Sequence, residues 1–208
     1  YGSHLFEGCT AITSTFGYFK TYTAYMYAGT GIASVAIPAG VDLNVKGVFA
    51  NCKALTTITW AEGISSWGIG DGFFYGCTAL ESVALPVGLN TLGDGSNGAE
   101  NVGVFGGCTS LRSVTLPEGL YQIGVAAFEG CTALTDITYQ AGGKEGYMLG
   151  ARAFKNCTSF NNIGFVQSCM MIGDEAFMNC VSLEGELDFS SGKGVELGNN
   201  AFYGCSKI

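Results

Sequence analysis

The chain has 208 residues, of which 48% are hydrophobic and only 12% charged, and glycine fills 33 positions. Nine basic residues against 17 acidic ones give a formal net charge of −8 with no basic stripe, which argues against a nucleic-acid or anionic-membrane partner. No apolar run approaches the ~18 residues that a membrane-spanning helix requires.

Taken from its N-terminus, the sequence repeats itself. A frame of Phe, any residue, Gly or Asn, then Cys begins at Phe6, Phe49, Phe74, Phe105, Phe128, Phe154, Phe177 and Phe202. The spacings are 43, 25, 31, 23, 26, 23 and 25, so the unit is 23 residues with insertions. The longest insertion, about residues 13–31, contains the stretch TFGYFKTYTAYMY. Its six aromatics, Phe16, Tyr18, Phe19, Tyr22, Tyr25 and Tyr27, accompany a single charge, Lys20. Threonine and tyrosine at this density favour extended chain, and tyrosine is enriched at interfaces. The segment is therefore expected either to fold over the molecule's own first coil or to contact another molecule. Further along, residues 94–101 form an eight-residue polar loop, and three extra residues lie between Gln140 and Leu149.

The uninterrupted unit, FGGCTSLRSVTLPEGLYQIGVAA at 105–127, shows what each coil contains. Leu111, Val114 and Leu116 alternate with polar residues as in a short strand, which Pro117 ends. Leu120 and Ile123 supply a second inward pair. The residue two after each frame Phe is only Gly (8, 76, 107, 130, 204) or Asn (51, 156, 179), the residue types that best tolerate positive φ. A short helical turn through the residues before each Phe, stopped by a left-handed residue, is expected. One such coil cannot bury its apolar side alone and must stack on its neighbours. The sequence thus predicts a single repeat solenoid over 1–208, of about seven coils built mainly from short parallel strands.

These residues carry a resemblance. The run LRSVTLPEGLYQIGVAAFEGCTAL is similar to the BspA-like (Treponema-type) leucine-rich repeats, whose pattern is Leu-x-x-Ile-x-Leu-Pro, Leu-x-x-Ile-Gly, Ala-Phe-x-x-Cys. It departs at Trp60, Tyr139 and Phe165, which replace leucine, and at Ala61, Gln140, Val166 and Ser190, which replace proline. The resemblance implies a curved solenoid with a parallel sheet on one side. It also implies a secreted or cell-surface protein used for adhesion and interaction.

Nine cysteines would ordinarily suggest a disulfide scaffold. Eight of them (Cys9, Cys52, Cys77, Cys108, Cys131, Cys157, Cys180 and Cys205) share one phase of the repeat, and Cys169 stands in for a core leucine. Side chains in one ladder point the same way, not at each other. All nine are therefore expected inside as small hydrophobes, with a few oxidised pairs as the alternative. Without C-x-x-C or a nearby histidine, no metal site is expected, and no cofactor motif occurs.

Chemistry finds little purchase. His4 is the single histidine, leaving one candidate base for any nucleophilic unit. The carboxylates Asp174–Glu175 and Glu184/Glu186/Asp188 fit solvated turns better than a hydrolase pair, and a hydrolase is the disfavoured alternative. Asn156-Cys157-Thr158 is a formal glycosylation sequon, discounted because it occupies the turn frame. Outward strand positions read Ser34, Thr57, Ser82, Ser113, Asp136, Asn162, Glu186 in one row and Ala36, Thr59, Ala84, Thr115, Thr138, Gly164, Asp188 in the next. This flat face, with Thr59, Thr115 and Thr138 at its centre, is a candidate contact surface for a protein or glycan. The expected function is a non-enzymatic extracellular interaction protein, with a cell-surface adhesion module as the alternative. The chain starts at Tyr1 without a signal-peptide pattern, as expected of a processed form or a fragment. Both ends stop within a unit, so end-to-end association into a filament is also expected, with residues 15–27 or the first coil completing a neighbour.

Overall fold

The computed structural model of the chain describes residues 2–15, 21–64, 66–93, 102–139, 146–190 and 194–208. Its regular elements run β1 (Ser34–Ile37), β2 (Thr57–Trp60), β3 (Gly68–Ile69), β4 (Ser82–Ala84), β5 (Thr91–Leu92), β6 (Ser113–Thr115), β7 (Gln122–Ile123), β8 (Asp136–Thr138) and β9 (Tyr147–Leu149). The short helix α1 (Ile163–Gln167), β10 (Cys169–Ile172) and β11 (Glu196–Leu197) complete them. The four coils from β2 to β9 each turn a corner between two strands, and every strand pairs in parallel with its equivalent one coil away. One side carries a six-stranded sheet in the order β11-β10-β9-β7-β5-β3, with one strand from each successive turn. The other carries β1-β2 and β4-β6-β8. This is the parallel solenoid that the 23-residue period predicts.

The frame aromatics explain why the coils stack. Phe6, Tyr27, Phe49, Phe74, Phe105, Phe128, Phe154, Phe177 and Phe202 form one continuous column, with centroids 5.2–5.8 Å apart and planes within 24° of parallel. Leu111, Val114, Leu116, Leu120 and Ile123 close around that column, all essentially without solvent contact.

Tyr27 in that column is a correction. Tyr27-Ala28-Gly29-Thr30 is a frame in its own right, with tyrosine for phenylalanine and threonine for cysteine. It divides the 43-residue interval into 21 and 22, so most of the expected insertion is another coil. Its main chain is bonded like the others: Tyr27 N–H donates to Val48 O (2.8 Å) and Gly29 N–H to Ala50 O (2.7 Å).

The turn before each Phe differs from the expected helix as well. The left-handed residue falls where expected, at Gly8, Gly76, Gly107, Gly130 and Gly204 and at Asn51, Asn156 and Asn179, with φ between 57° and 82°. A second left-handed column lies two residues before the Phe, at His4, Tyr25, Gly47, Gly72, Ala126, Arg152, Glu175 and Asn200. Two such residues per turn point its N–H groups along the solenoid instead of back into a helix. Phe105 N–H donates to Ala127 O (2.8 Å) and Gly107 N–H to Glu129 O (2.7 Å), and the same bonds recur from coil to coil. Stacking thus satisfies the main chain that a helix would have satisfied internally.

Asn162 and Gly164, expected as outward strand positions, lie instead at the cap and in the body of α1 (Ile163–Gln167). Asn162 caps that helix, its side chain accepting from Phe165 N–H at 2.9 Å, while its Nδ2 donates to Ile137 O of β8 at 3.2 Å. The helix therefore closes the edge of the three-stranded sheet. Gly164 is helical and Glu186 and Asp188 lie outside any strand, so the two outward rows end at β8.

Candidate interaction surface

The outward face of the shorter sheets is assembled from strands that alternate exposed and inward residues, because β period places every second side chain on one face. Register sets Ser34 beside Thr57 and Ala36 beside Thr59. It also aligns Ser82, Ser113 and Asp136 in one row and Ala84, Thr115 and Thr138 in the next. All ten side chains are exposed, including the three threonines expected at the centre of the face. Strand pairing stops between β2 and β4, where Trp60 replaces leucine and its indole N–H reaches Ala84 O at 2.8 Å.

The aromatic stretch is distributed differently from the expected contact surface. Tyr22 and Tyr27 are 8% and 0% exposed and belong to the core. Tyr22 meets Phe49 and Phe73 edge-on, and burial holds its phenol protonated. Tyr25 is partly exposed, stacked on His4 at 5.0 Å, and its ring covers Gly47, where a Cβ would not fit. Phe16, Tyr18 and Phe19 lie outside the described residues. A search confined to the letters Phe and Cys misses this coil; aromatic-x-Gly-hydroxyl at the same spacing would have found it.

The thiols are free, and eight are buried. Each ladder thiol from Cys52 to Cys205 donates its S–H to the carbonyl of the aromatic one coil earlier. Cys131 reaches Phe105 O at 3.1 Å and Cys77 reaches Phe49 O at 3.2 Å. The same carbonyl accepts the N–H of its own coil's cysteine, as Phe105 O does from Cys108 N–H at 3.1 Å. Cysteine suits the position because it is small, apolar and still a weak donor. Thr30 fills the phase with a hydroxyl that donates to Tyr27 O at 2.8 Å. Cys9 corrects the expectation of nine buried thiols: it is exposed. Cys169 is buried but lies outside the ladder, opposite Tyr147 in β9, and donates to Phe165 O of its own coil. Desolvation raises the buried thiols, Cys108 to about 12 and Cys131 and Cys157 well above their ordinary value. These thiols remain protonated near neutral pH, and a protonated thiol is a poor nucleophile or metal ligand.

The remaining candidate groups are engaged in surface contacts. His4 pairs with Glu7, and Asp174 accepts from Asn199 N–H. Arg152 pairs with Glu129 and Lys155 with Glu175, linking successive turns. Among the described residues, no group of three His, Cys, Asp or Glu side chains is placed to hold a metal ion. Asn156 accepts from Asn179 Nδ2 at 2.9 Å and is followed by buried Cys157, so the sequon is part of the turn stack. No described helix is long and apolar enough to cross a membrane.

Parallel coils, an inward leucine pattern and a strand face of short polar residues define a leucine-rich-repeat protein. The chain belongs to the BspA type leucine rich repeat family, whose model matches residues 1–100 and 100–208 in six copies. Among solved structures it is similar to a leucine-rich repeat protein from Eubacterium ventriosum, with a TM-score of 0.55 and 16% identity over 88% of this chain and 62% of that one. It is also similar to a leucine rich cell surface protein from Faecalibacterium prausnitzii, with a TM-score of 0.50 and 19% identity over 100% of this chain and 61% of that one. The chain thus spans less than two thirds of either relative's length. It matches no curated protein.

Proposed function

We propose that this chain is a non-enzymatic interaction module acting outside the cell, and that a protein partner docks on the outward face of β1-β2 and β4-β6-β8. The observation that carries this reading is the exposed row of Ala84, Thr115 and Thr138 beside Ser82, Ser113 and Asp136, held in parallel register on a rigid core. Short side chains lose little conformational freedom when a partner covers them, and strand register presets their spacing. Family membership supports protein interaction as the general role. The similarity to a protein described as a cell surface protein supports the location. Free thiols are compatible with an oxidising exterior here because eight of them are buried and protonated.

A screen against purified extracellular proteins, read by surface plasmon resonance, tests the proposal. A partner should be lost when Thr59, Thr115 and Thr138 are all changed to Lys, and retained when the turn-face Glu129 and Lys155 are changed. A partner that binds the triple-lysine protein unchanged would remove this face from the function.

A further inference from the structure

Trp67 is an expensive residue to leave in water, yet it is 65% exposed at the residue preceding β3. Its indole N–H has no partner among the described residues. Backbone bonds place it in a column: Asn90 N–H donates to Trp67 O at 2.9 Å, and Tyr121 N–H donates to Asn90 O at 3.0 Å. Trp67, Asn90 and Tyr121 are therefore equivalent positions on three successive coils, each just ahead of a strand of the six-stranded sheet. Asn90 and Tyr121 are both partly exposed. The next position in the column, Tyr147, is buried, which ends the exposed track at three residues.

We propose that this column binds an extended, neutral, β-1,4-linked glycan lying along the solenoid axis. The argument is one of period and chemistry. Successive sugars in such a chain are turned over, so every second ring offers the same apolar C–H face to a surface. The two aromatics stand two coils apart, roughly 10 Å at the spacing of paired strands, which is about the length of one disaccharide repeat. The amide between them already donates one Nδ2 hydrogen to Gly119 O at 3.2 Å, which leaves its Oδ1 as acceptor and its second N–H as donor to the hydroxyls of the inverted sugar. None of the three side chains is charged, which suits a neutral polymer; the net charge of −8 disfavours an anionic one. A protein partner would favour a broad patch around a buried anchor, whereas Trp67 is 65% exposed. The glycan track lies on a different sheet from the proposed protein face and does not depend on it.

Calorimetry and tryptophan fluorescence of the full chain, with cellohexaose and chitohexaose as probes and maltohexaose as the α-linked control, test the inference. Both β-linked probes should bind with a Kd on the order of 1 mM or tighter, and the α-linked one far more weakly. Trp67→Ala should weaken binding about tenfold, the equivalent of one aromatic stack, and Tyr121→Ala severalfold. Trp67→Tyr, which keeps an aromatic ring should Trp67→Ala fold poorly, should bind nearly as the parent does. Glu129→Ala, on the turn face, should leave glycan binding unchanged. Absence of binding by either β-linked probe at about 10 mM, equal binding of the α-linked control, or unaltered affinity in both alanine variants would overturn the proposal. So would a protein ligand that is lost on Trp67→Ala while no hexaose binds, since the column would then be a protein contact.

Discussion

Two residue types hold this repeat together for reasons that geometry separates. At the turn, Gly76 and Gly130 both adopt positive φ, at 69° and 74°, but their surroundings differ. A Cβ on Gly76 would fall 2.4 Å from Asn51 Oδ1, whereas one on Gly130 would meet nothing nearer than 3.9 Å. Gly130→Ala should cost about 1–2 kcal/mol from the left-handed backbone alone. Gly76→Ala adds only the displacement of the exposed Asn51 side chain, a small further cost, and denaturant unfolding of the two variants checks the order. The turn asparagines have the same origin: the side chain of Asn51 or Asn179 reaches over the glycine of the following coil, Gly76 or Gly204. At the cysteine position the prediction is chemical. One thiol, Cys9, should react with a maleimide in the native protein, and the other eight only after denaturation. Mass spectrometry counts the labels, and several reactive thiols in the native state would contradict the buried ladder. Cys131→Ala removes a methyl-sized volume and the bond to Phe105 O and should destabilise by about 1–3 kcal/mol.

At the scale of elements, α1 is where the repeat departs most from its own pattern. Its coil replaces the Leu–Pro pair with Phe165 and Val166, and both are buried. A helix with a five-residue body depends on its cap and its packing, and Asn162 serves helix and sheet together. Asn162→Ala should lower stability by about 1–2 kcal/mol, through loss of the cap and of the bond to Ile137 O, and thermal unfolding measures it. Asn162→Asp should recover the cap acceptor but lose both Nδ2 bonds and set a second carboxylate against Asp136, which Asn162 Nδ2 meets at 2.5 Å, so its cost should be no smaller than that of the alanine variant. The helix was not legible beforehand because Ile163-Gly164-Phe165-Val166 is as β-compatible by propensity as the strands it replaces. The surrounding coils decide between the two, by leaving room for the Phe165 ring against Tyr139, Tyr147 and Phe154.

For the whole molecule, the thiol ladder makes stability pH-dependent on the alkaline side. A thiol that titrates near 9 when unfolded and near 12 in the fold, as Cys108 does, keeps its proton longer in the native state. Its contribution is complete below pH 9 and is lost as pH rises from there toward the folded value. Each such thiol steepens the decline by up to about 1.4 kcal/mol per pH unit. Melting temperatures should therefore hold near neutral pH and fall steeply above pH 9, and the fall should be shallower in Cys108→Ala. A flat profile to pH 11 would mean that the buried thiols do not titrate differently in the two states.

The period, the parallel stack, the inward cysteine phase and the left-handed Gly/Asn column follow from the sequence alone. Each repeats at fixed spacing, and a solenoid turns spacing along the chain directly into neighbourhood in space. Tertiary structure decided the features that depend on which coil lies next door. Tyr27 and Thr30 read as foreign to the motif until stacking between Phe6 and Phe49 shows that ring shape and a donor, not the letters Phe and Cys, are what the column requires. The second left-handed column falls on residues as unlike as Ala126, Arg152 and Glu175, which no local preference marks. Hydrogen bonds to the following coil impose that conformation from outside the residue, so only the assembled stack contains the reason for it.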